Sequence, residues 1–160
     1  MSKFVVSEEM VLRCAKKAVR PRSIYINDEV RREHSAHVAA GGTGHSPRTD
    51  LVLRRLRSLA AKGFLKPSSF TDGHYGYEWE IRESIKYTGD NLADVLAFAG
   101  KHPNWDVWFS SFEEYQRHVD DSGSRFLIVG ADGVIVAVPG DWIIKHPDGC
   151  FAVVRSALMK

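Results

Sequence analysis

Arg48, Arg54, Arg55, Arg57 and Lys62 fall within fifteen consecutive residues, with Thr49 and Asp50 among them and Lys66 and His74 shortly after. A run of guanidinium forks and ammonium groups suits one chemistry above others, the holding of phosphate oxygens and the reading of base edges. The charge distribution points the same way. Residues 1–66 carry 14 Lys and Arg against 6 Asp and Glu, a net +8, whereas residues 67–160 carry 8 against 14, a net −6, so the formal +2 conceals two opposite halves. Such asymmetry marks a nucleic-acid-facing portion joined to one that avoids polyanions.

Other chemistries are poorly supplied. His34, His37 and His45 could begin a metal site, but no acid or cysteine completes a familiar ligand set, so they read as core or surface histidines and neither metal nor cofactor is expected. Asp120, Asp121, Asp132, Asp141 and Asp148 stand in stretches containing Gly, Ser or Pro, where aspartate makes turns by bonding its own backbone. With no Gly-rich phosphate loop, nucleophile elbow or paired His and carboxylate spacing, catalysis is not expected. Cys14 and Cys150, far apart in apolar settings, read as buried reduced thiols. No apolar run approaches the roughly 20 residues needed to span a bilayer, so no membrane association is expected. MSKFVVSEEM at the N-terminus lacks the apolar core of a secretory signal, which predicts a cytoplasmic location.

The elements that must carry the basic residues follow from spacing. Ser7 with Glu8 and Glu9 behind it makes an N-cap, and Val11, Cys14, Ala15 and Ala18 recur at helical intervals, predicting a helix over 7–19 that Pro21 ends. Ser23-Ile24-Tyr25-Ile26 has the β-branched and aromatic content of a short strand. Asn27 is placed to cap a second helix whose inward stripe is Val30, His34, His37 and Val38, before residues 39–44 break the chain. Ser46-Pro47 supplies an N-cap and first-turn proline for a third helix that Gly63 stops. On that helix Val52, Leu53, Leu56, Leu59 and Ala60 fall on one side, and the outer face and its flanks carry the arginines. Phe64-Leu65-Lys66 then pairs with residues 75–81 across a turn-rich segment, 67–74, as a hairpin with a polar tip.

Helix, short strand, helix, helix, hairpin is the order of a winged helix, and RRLRSLAAKGFLKP followed by YGYEWEI resembles the recognition-helix and wing segment of winged-helix regulators over residues 5–82. The resemblance implies that helix three enters the major groove N-terminus first, with Arg48, Thr49, Asp50 and Arg54 toward base edges and Arg55, Arg57 and Lys62 toward phosphates. Lys66 and His74 of the wing would follow the backbone or the minor groove. The turn between helices two and three, 39–45, is longer and richer in glycine than the usual three or four residues, which predicts a loop that DNA or a partner orders.

In the acidic half, Leu92, Val95, Leu96 and Ala99 predict a helix ending near Gly100, and Ser110 or Ser111 caps another that bears Phe112, Tyr115 and Val119. Residues 125–129 and 134–138 form a hairpin about Gly130-Ala131-Asp132-Gly133, and residues 142–145 and 150–154 form a second. The expectation is a small α+β unit, two short helices on an antiparallel sheet, with Trp105, Trp108, Phe109, Phe112 and Tyr115 filling its core. The run from Asp90-Asn91-Leu92 through Trp108-Phe109 and Tyr115 to Pro139-Gly140-Asp141-Trp142-Ile143-Ile144 resembles the small domain named for its PGDYG motif, with Trp142 and Ile143 in place of the tyrosine and glycine. That resemblance covers residues 90–155, implies a bacteriophage or prophage source and brings no activity with it.

The whole reads as an α+β chain of two domains: a winged helix of three helices plus a β-hairpin wing at 1–82, and a PGDYG-like unit at 90–160, joined by a connector at 83–89. The function expected is that of a phage-type DNA-binding protein in the cytoplasm of a bacterial host cell. It would be a winged-helix transcriptional regulator on double-stranded DNA, whose C-terminal domain mediates dimerisation to a homodimer or partner binding. The alternative is a non-enzymatic inhibitor of host machinery, an anti-CRISPR or other counter-defence protein, acting on a host protein by direct contact or nucleic-acid mimicry. Acids in a phosphate-like row on one face of the second half would favour the alternative, and acids scattered among turns would not.

Overall fold

The structure is a computed structural model that describes residues 1–72, 76–102, 104–130 and 132–160. It is α+β and divides into two compact units, one of residues 1–82 with Met159 and Lys160, the other of residues 83–158. Charge follows that division: the first unit carries 16 Lys and Arg against 9 Asp and Glu, net +7, and the second 6 against 11, net −5.

In the first unit three helices precede a hairpin. α1 (Glu8–Lys17) begins where expected, Ser7 Oγ accepting from the Met10 N–H at 3.2 Å. α2 (Ser23–Ala39) does not: the expected strand Ser23 to Ile26 forms its first turn, and Asn27, expected as its cap, lies inside it and is buried. Packing overrides the β propensity of these residues. Ile26 and Val30, one turn apart, are fully buried, while the Ser23 hydroxyl accepts from Trp79 Nε1 at 3.0 Å and donates to the Tyr77 carbonyl at 3.2 Å. No residue of the expected strand pairs as one among the described residues, and a single antiparallel bridge, Arg22 with Glu78, stands just before it. The inward stripe of α2 ends early, since Val38 is exposed. α3 (Thr49–Ala61) buries Val52, Leu56 and Leu59 as its periodicity predicts, but its N-cap is Arg48 rather than Ser46, with buried Pro47 just before it. Gly63 ends it at φ 88°, a left-handed conformation that glycine takes without strain. Cys14 lies in the core between these helices, and burial pushes its thiol up to about 11, which makes it chemically quiet.

β1 (Leu65–Asp72) and β2 (Gly76–Ile81) pair antiparallel, with Leu65 opposite Ile81 and Thr71 opposite Tyr77. The first strand absorbs residues that composition marks as turn. Its register shifts between Pro67, opposite Trp79, and Thr71, an irregularity of the kind that admits proline to a sheet edge. His74 and Tyr75, assigned above to the tip of the wing and its second strand, lie outside the described residues.

The second unit runs β3 (Ser84–Lys86), α4 (Leu92–Ala99), one-turn α5 (Trp105–Trp108), α6 (Phe112–Asp121), β4 (Phe126–Gly130), β5 (Gly133–Ala137), β6 (Trp142–Lys145), β7 (Phe151–Val154) and a 3-10 turn, Ser156–Leu158. Part of the expected connector is therefore a strand. β3 covers the edge of β6 to give the order β3-β6-β7, and β4 and β5 form a separate two-stranded sheet instead of extending the second hairpin. An uncovered β6 edge would leave N–H and C=O groups unpaired, and β3 supplies partners for them while setting Ile85 opposite the buried Ile143. Tyr87, Val95, Trp105, Tyr115, Phe126 and Ile143 form the centre of the core. Trp108, expected there, is instead 55% exposed, and Cys150 is half-buried rather than enclosed.

Asp141 is more than a turn former. It is 2% exposed, accepts from the Val138 N–H at 3.1 Å and the Ser156 N–H at 3.2 Å, and is ion-paired with Arg155. Its carbonyl also accepts from the Tyr87 N–H at 2.8 Å, so one residue ties the 138–141 turn to the exits of β3 and β7. Asp141→Ala is expected to cost about 3 kcal/mol, because two main-chain donors and a guanidinium lose their acceptor in a buried setting. Asp141→Asn, which keeps one acceptor oxygen, is expected to cost less, and urea melts of the two variants check the order.

Candidate nucleic-acid interface

The first turn of α3 stands in solvent, with Arg48, Thr49 and Asp50 all exposed. Asp50 binds an arginine on either side: Arg48 Nε donates to Oδ1 at 2.9 Å and Arg54 Nη2 donates to Oδ2 at 3.1 Å. Desolvation raises the Asp50 carboxyl, but the two guanidinium groups outweigh it and hold the group below its ordinary value. An acid in the first turn also suits the positive end of the helix dipole. The arginine side chains remain 82% and 70% exposed, so two forks are aligned at the helix tip without being consumed. Arg57, one turn beyond Arg54, holds its guanidinium 6.0 Å from the centroid of the Tyr77 ring on β2, which joins α3 to the hairpin. Lys66 is exposed on β1 opposite Glu80.

Two residues expected at phosphates are committed elsewhere. Arg55 is half-buried and its Nε donates to the Val6 carbonyl at 3.2 Å. Lys62 is ion-paired with Glu8, which is fully buried on α1. Residues 55 and 62 lie two helical turns apart, on a flank of α3 turned toward α1 and the segment before it. Burial pushes the Glu8 carboxyl up, but hydrogen bonds from Lys62, Ser58 and the Lys160 main chain, with the Lys62 charge, bring it below its ordinary value. The surface set is thus Arg48, Thr49, Asp50, Arg54, Arg57 and Lys66, with His74 outside the described residues.

Arg31 joins them from α2. It is exposed, and with Ser23, Asn27, Thr49 and Leu53 it lines a groove of about 370 Å3 between α2 and α3. Residues 23, 27 and 31 repeat at four-residue intervals, a signal that was hidden by reading residues 23–26 as a strand.

The long turn before α3 is ordered by the chain's own N-terminal segment, not left open as its glycines suggested. Lys3 bridges Thr43, the Phe4 N–H donates to the Thr43 carbonyl at 2.7 Å, and the Phe4 ring lies 5.0 Å from His34 and 5.5 Å from His37. Gly44 at φ 139° permits that approach, since a Cβ there would sit 3.0 Å from Phe4 Cβ. The histidines hold this packing: His34 Nε2 is 3.2 Å from the Gly44 carbonyl and His37 Nε2 is 3.0 Å from the Ser2 carbonyl. Among the described residues no group of three or more His, Cys, Asp or Glu is placed to hold a metal ion, and no helix is long and apolar enough to cross a membrane. No protein-family model, curated protein or solved structure matches the chain.

Proposed function

We propose that the first unit is a winged helix that binds double-stranded DNA and that the chain acts as a transcriptional regulator. The observation that carries this reading is the Arg48, Asp50 and Arg54 cluster at the exposed start of α3, with Arg57 one turn on. Asp50 preorganises the two forks, so less side-chain entropy is lost when they meet base edges or phosphates. Arg57 and Lys66 extend the contact along the backbone toward the wing. The second unit is the PGDYG-like partner domain of this reading. Of its eleven acids Asp141 is buried, and Asp90 and Asp148 bond locally to Thr88 and the Cys150 N–H. Glu113, Glu114, Asp120 and Asp121 stand exposed on α6, so the acids do not separate the two readings, and the arginine cluster of α3 is what sets the regulator ahead of the counter-defence inhibitor.

Fluorescence anisotropy with random-sequence and own-promoter duplexes across ~50 to ~250 mM salt tests the proposal. Four phosphate-facing cations predict a log–log salt slope of about −3 to −4, with the own-promoter duplex bound more tightly. A slope near zero, or no binding at the lowest salt, overturns it. Asp50→Asn removes the one negative charge from the helix tip and is expected to raise affinity for the random duplex about threefold, the scale of one exposed charge pair. The same change is expected to erode the preference for the own promoter, because Arg48 and Arg54 lose their alignment.

A further inference from the structure

The second unit contains a cavity of about 260 Å3 bounded by residues of α5, α6 and β4 and the segments beside them. Its walls are flat rings. His102 stacks on Trp108 with centroids 4.8 Å apart and planes 21° from parallel, whereas Phe109 meets Tyr115 at 75° and Trp108 at 82°. Faces set nearly at right angles make a slot that admits a planar body more readily than a branched one. The volume lies just below the usual range for drug-sized ligands, which limits the occupant to one or two rings. Trp108 leaves 55% of its surface in solvent, an apolar area that ring stacking would cover.

The polar part of the lining decides the charge of the occupant. His102, His118 and Arg125 supply hydrogen-bond donors, and among the described residues no carboxylate lines the cavity. Aromatic faces alone would hold a cation as well as a neutral ring, but Arg125 repels a cation and offers a planar fork that matches a carboxylate. Two features oppose an anion, and both are blunted. The end of α6 carries the negative end of its dipole, yet its last carbonyls are occupied: Ser122 Oγ and the Ser124 N–H donate to the Val119 carbonyl, and the Ser122 N–H donates to that of His118. The unit's net charge of −5 acts at longer range, where salt screens it within about 8 Å.

We infer that this cavity binds a small planar aromatic carboxylate, its ring against Trp108 and Phe109 and its carboxylate on Arg125. Isothermal titration of the full chain with benzoate and 2-naphthoate, and with benzamide and benzyltrimethylammonium as charge controls, reads this without any DNA present. The carboxylates are expected to bind with millimolar or tighter Kd, benzoate at least about fivefold more tightly than benzamide, and the ammonium not at all. Arg125→Gln, at an exposed position, is expected to bring benzoate down to the level of benzamide. Leu127→Trp, at a lining residue that is 38% exposed, is expected to fill the slot and abolish both carboxylates while the far-UV circular dichroism is unchanged. Failure of both carboxylates to bind the folded native chain, equal binding of benzoate and the ammonium, or a benzoate preference that survives Arg125→Gln overturns the inference.

Discussion

Replacing both Arg54 and Arg57 with glutamate is expected to lower affinity for a random duplex about a hundredfold at physiological salt and to flatten the salt slope by about two. Each lost phosphate contact removes about 0.9 from that slope, and at ~0.15 M salt the counterion release of two contacts is worth about thirtyfold. Repulsion between the new carboxylates and the phosphates supplies the rest. Both side chains are exposed, and Arg54→Glu exchanges the ion pair with Asp50 for a like-charge pair one turn apart, a cost of about 1 kcal/mol that leaves α3 intact. Arg55→Ala is the matched control. Arg55 belongs to the same helix but is bonded to the Val6 carbonyl, so its loss is expected to touch stability and leave the slope unchanged. Anisotropy titrations of the three proteins decide the matter: an unaltered affinity in the double variant removes α3 from the interface, and an equal slope change in Arg55→Ala returns that residue to the phosphates.

Lys62→Met is expected to destabilise the first unit by about 3 kcal/mol at neutral pH, because it strands the fully buried carboxylate of Glu8. The pH dependence identifies the cause. In the native chain the folded Glu8 carboxyl lies below its unfolded value, so its stabilising contribution is complete above the unfolded pKa and is lost as pH falls through the folded one. Without the Lys62 ammonium, burial is opposed only by neutral donors and the folded pKa moves above the unfolded value. The variant is then weakest near neutral pH and recovers as Glu8 takes up a proton. Urea melts at pH 7 and pH 4.5 are therefore expected to show the gap between the two proteins narrowing in acid. A gap that stays constant with pH means that the loss comes from packing of the lysine stem. Glu8→Gln combined with Lys62→Met is expected to restore most of the stability, since a neutral group in place of a buried ion removes the charge left unpaired. The salt slope of DNA binding is expected to be the same in Lys62→Met as in the native chain, which distinguishes a lysine that holds α1 to α3 from one that holds phosphate.

The elements legible in the sequence are those whose signals are local. Ser7 caps α1 through a bond three residues long, Ser111 caps α6 in the same way, and Gly63 and the turns of β4–β5 and β6–β7 act within a few residues of themselves. The exposed arginines at the start of α3 were legible for the same reason, because a 3.6-residue period separates outer from inner positions before any partner is known. Whatever depends on a distant partner was not. Ser23 to Ile26 became helix because Trp79 and Tyr77, more than fifty residues away, bond Ser23. Lys62 left the interface because Glu8, 54 residues earlier, required a cation, and Arg55 left it because Val6, 49 residues earlier, required a donor. Residues 84–86 became a strand because β6 had an edge to cover, and His102, Trp108 and Arg125 became neighbours around one cavity through the packing of α5, α6 and β4. The sequence by itself determined where α1 and α6 start and where the two C-terminal hairpins turn, and which residues can carry charge. Only the tertiary structure decided which of those charges face solvent, because an ion is left in water or taken by a buried partner according to what the fold brings against it.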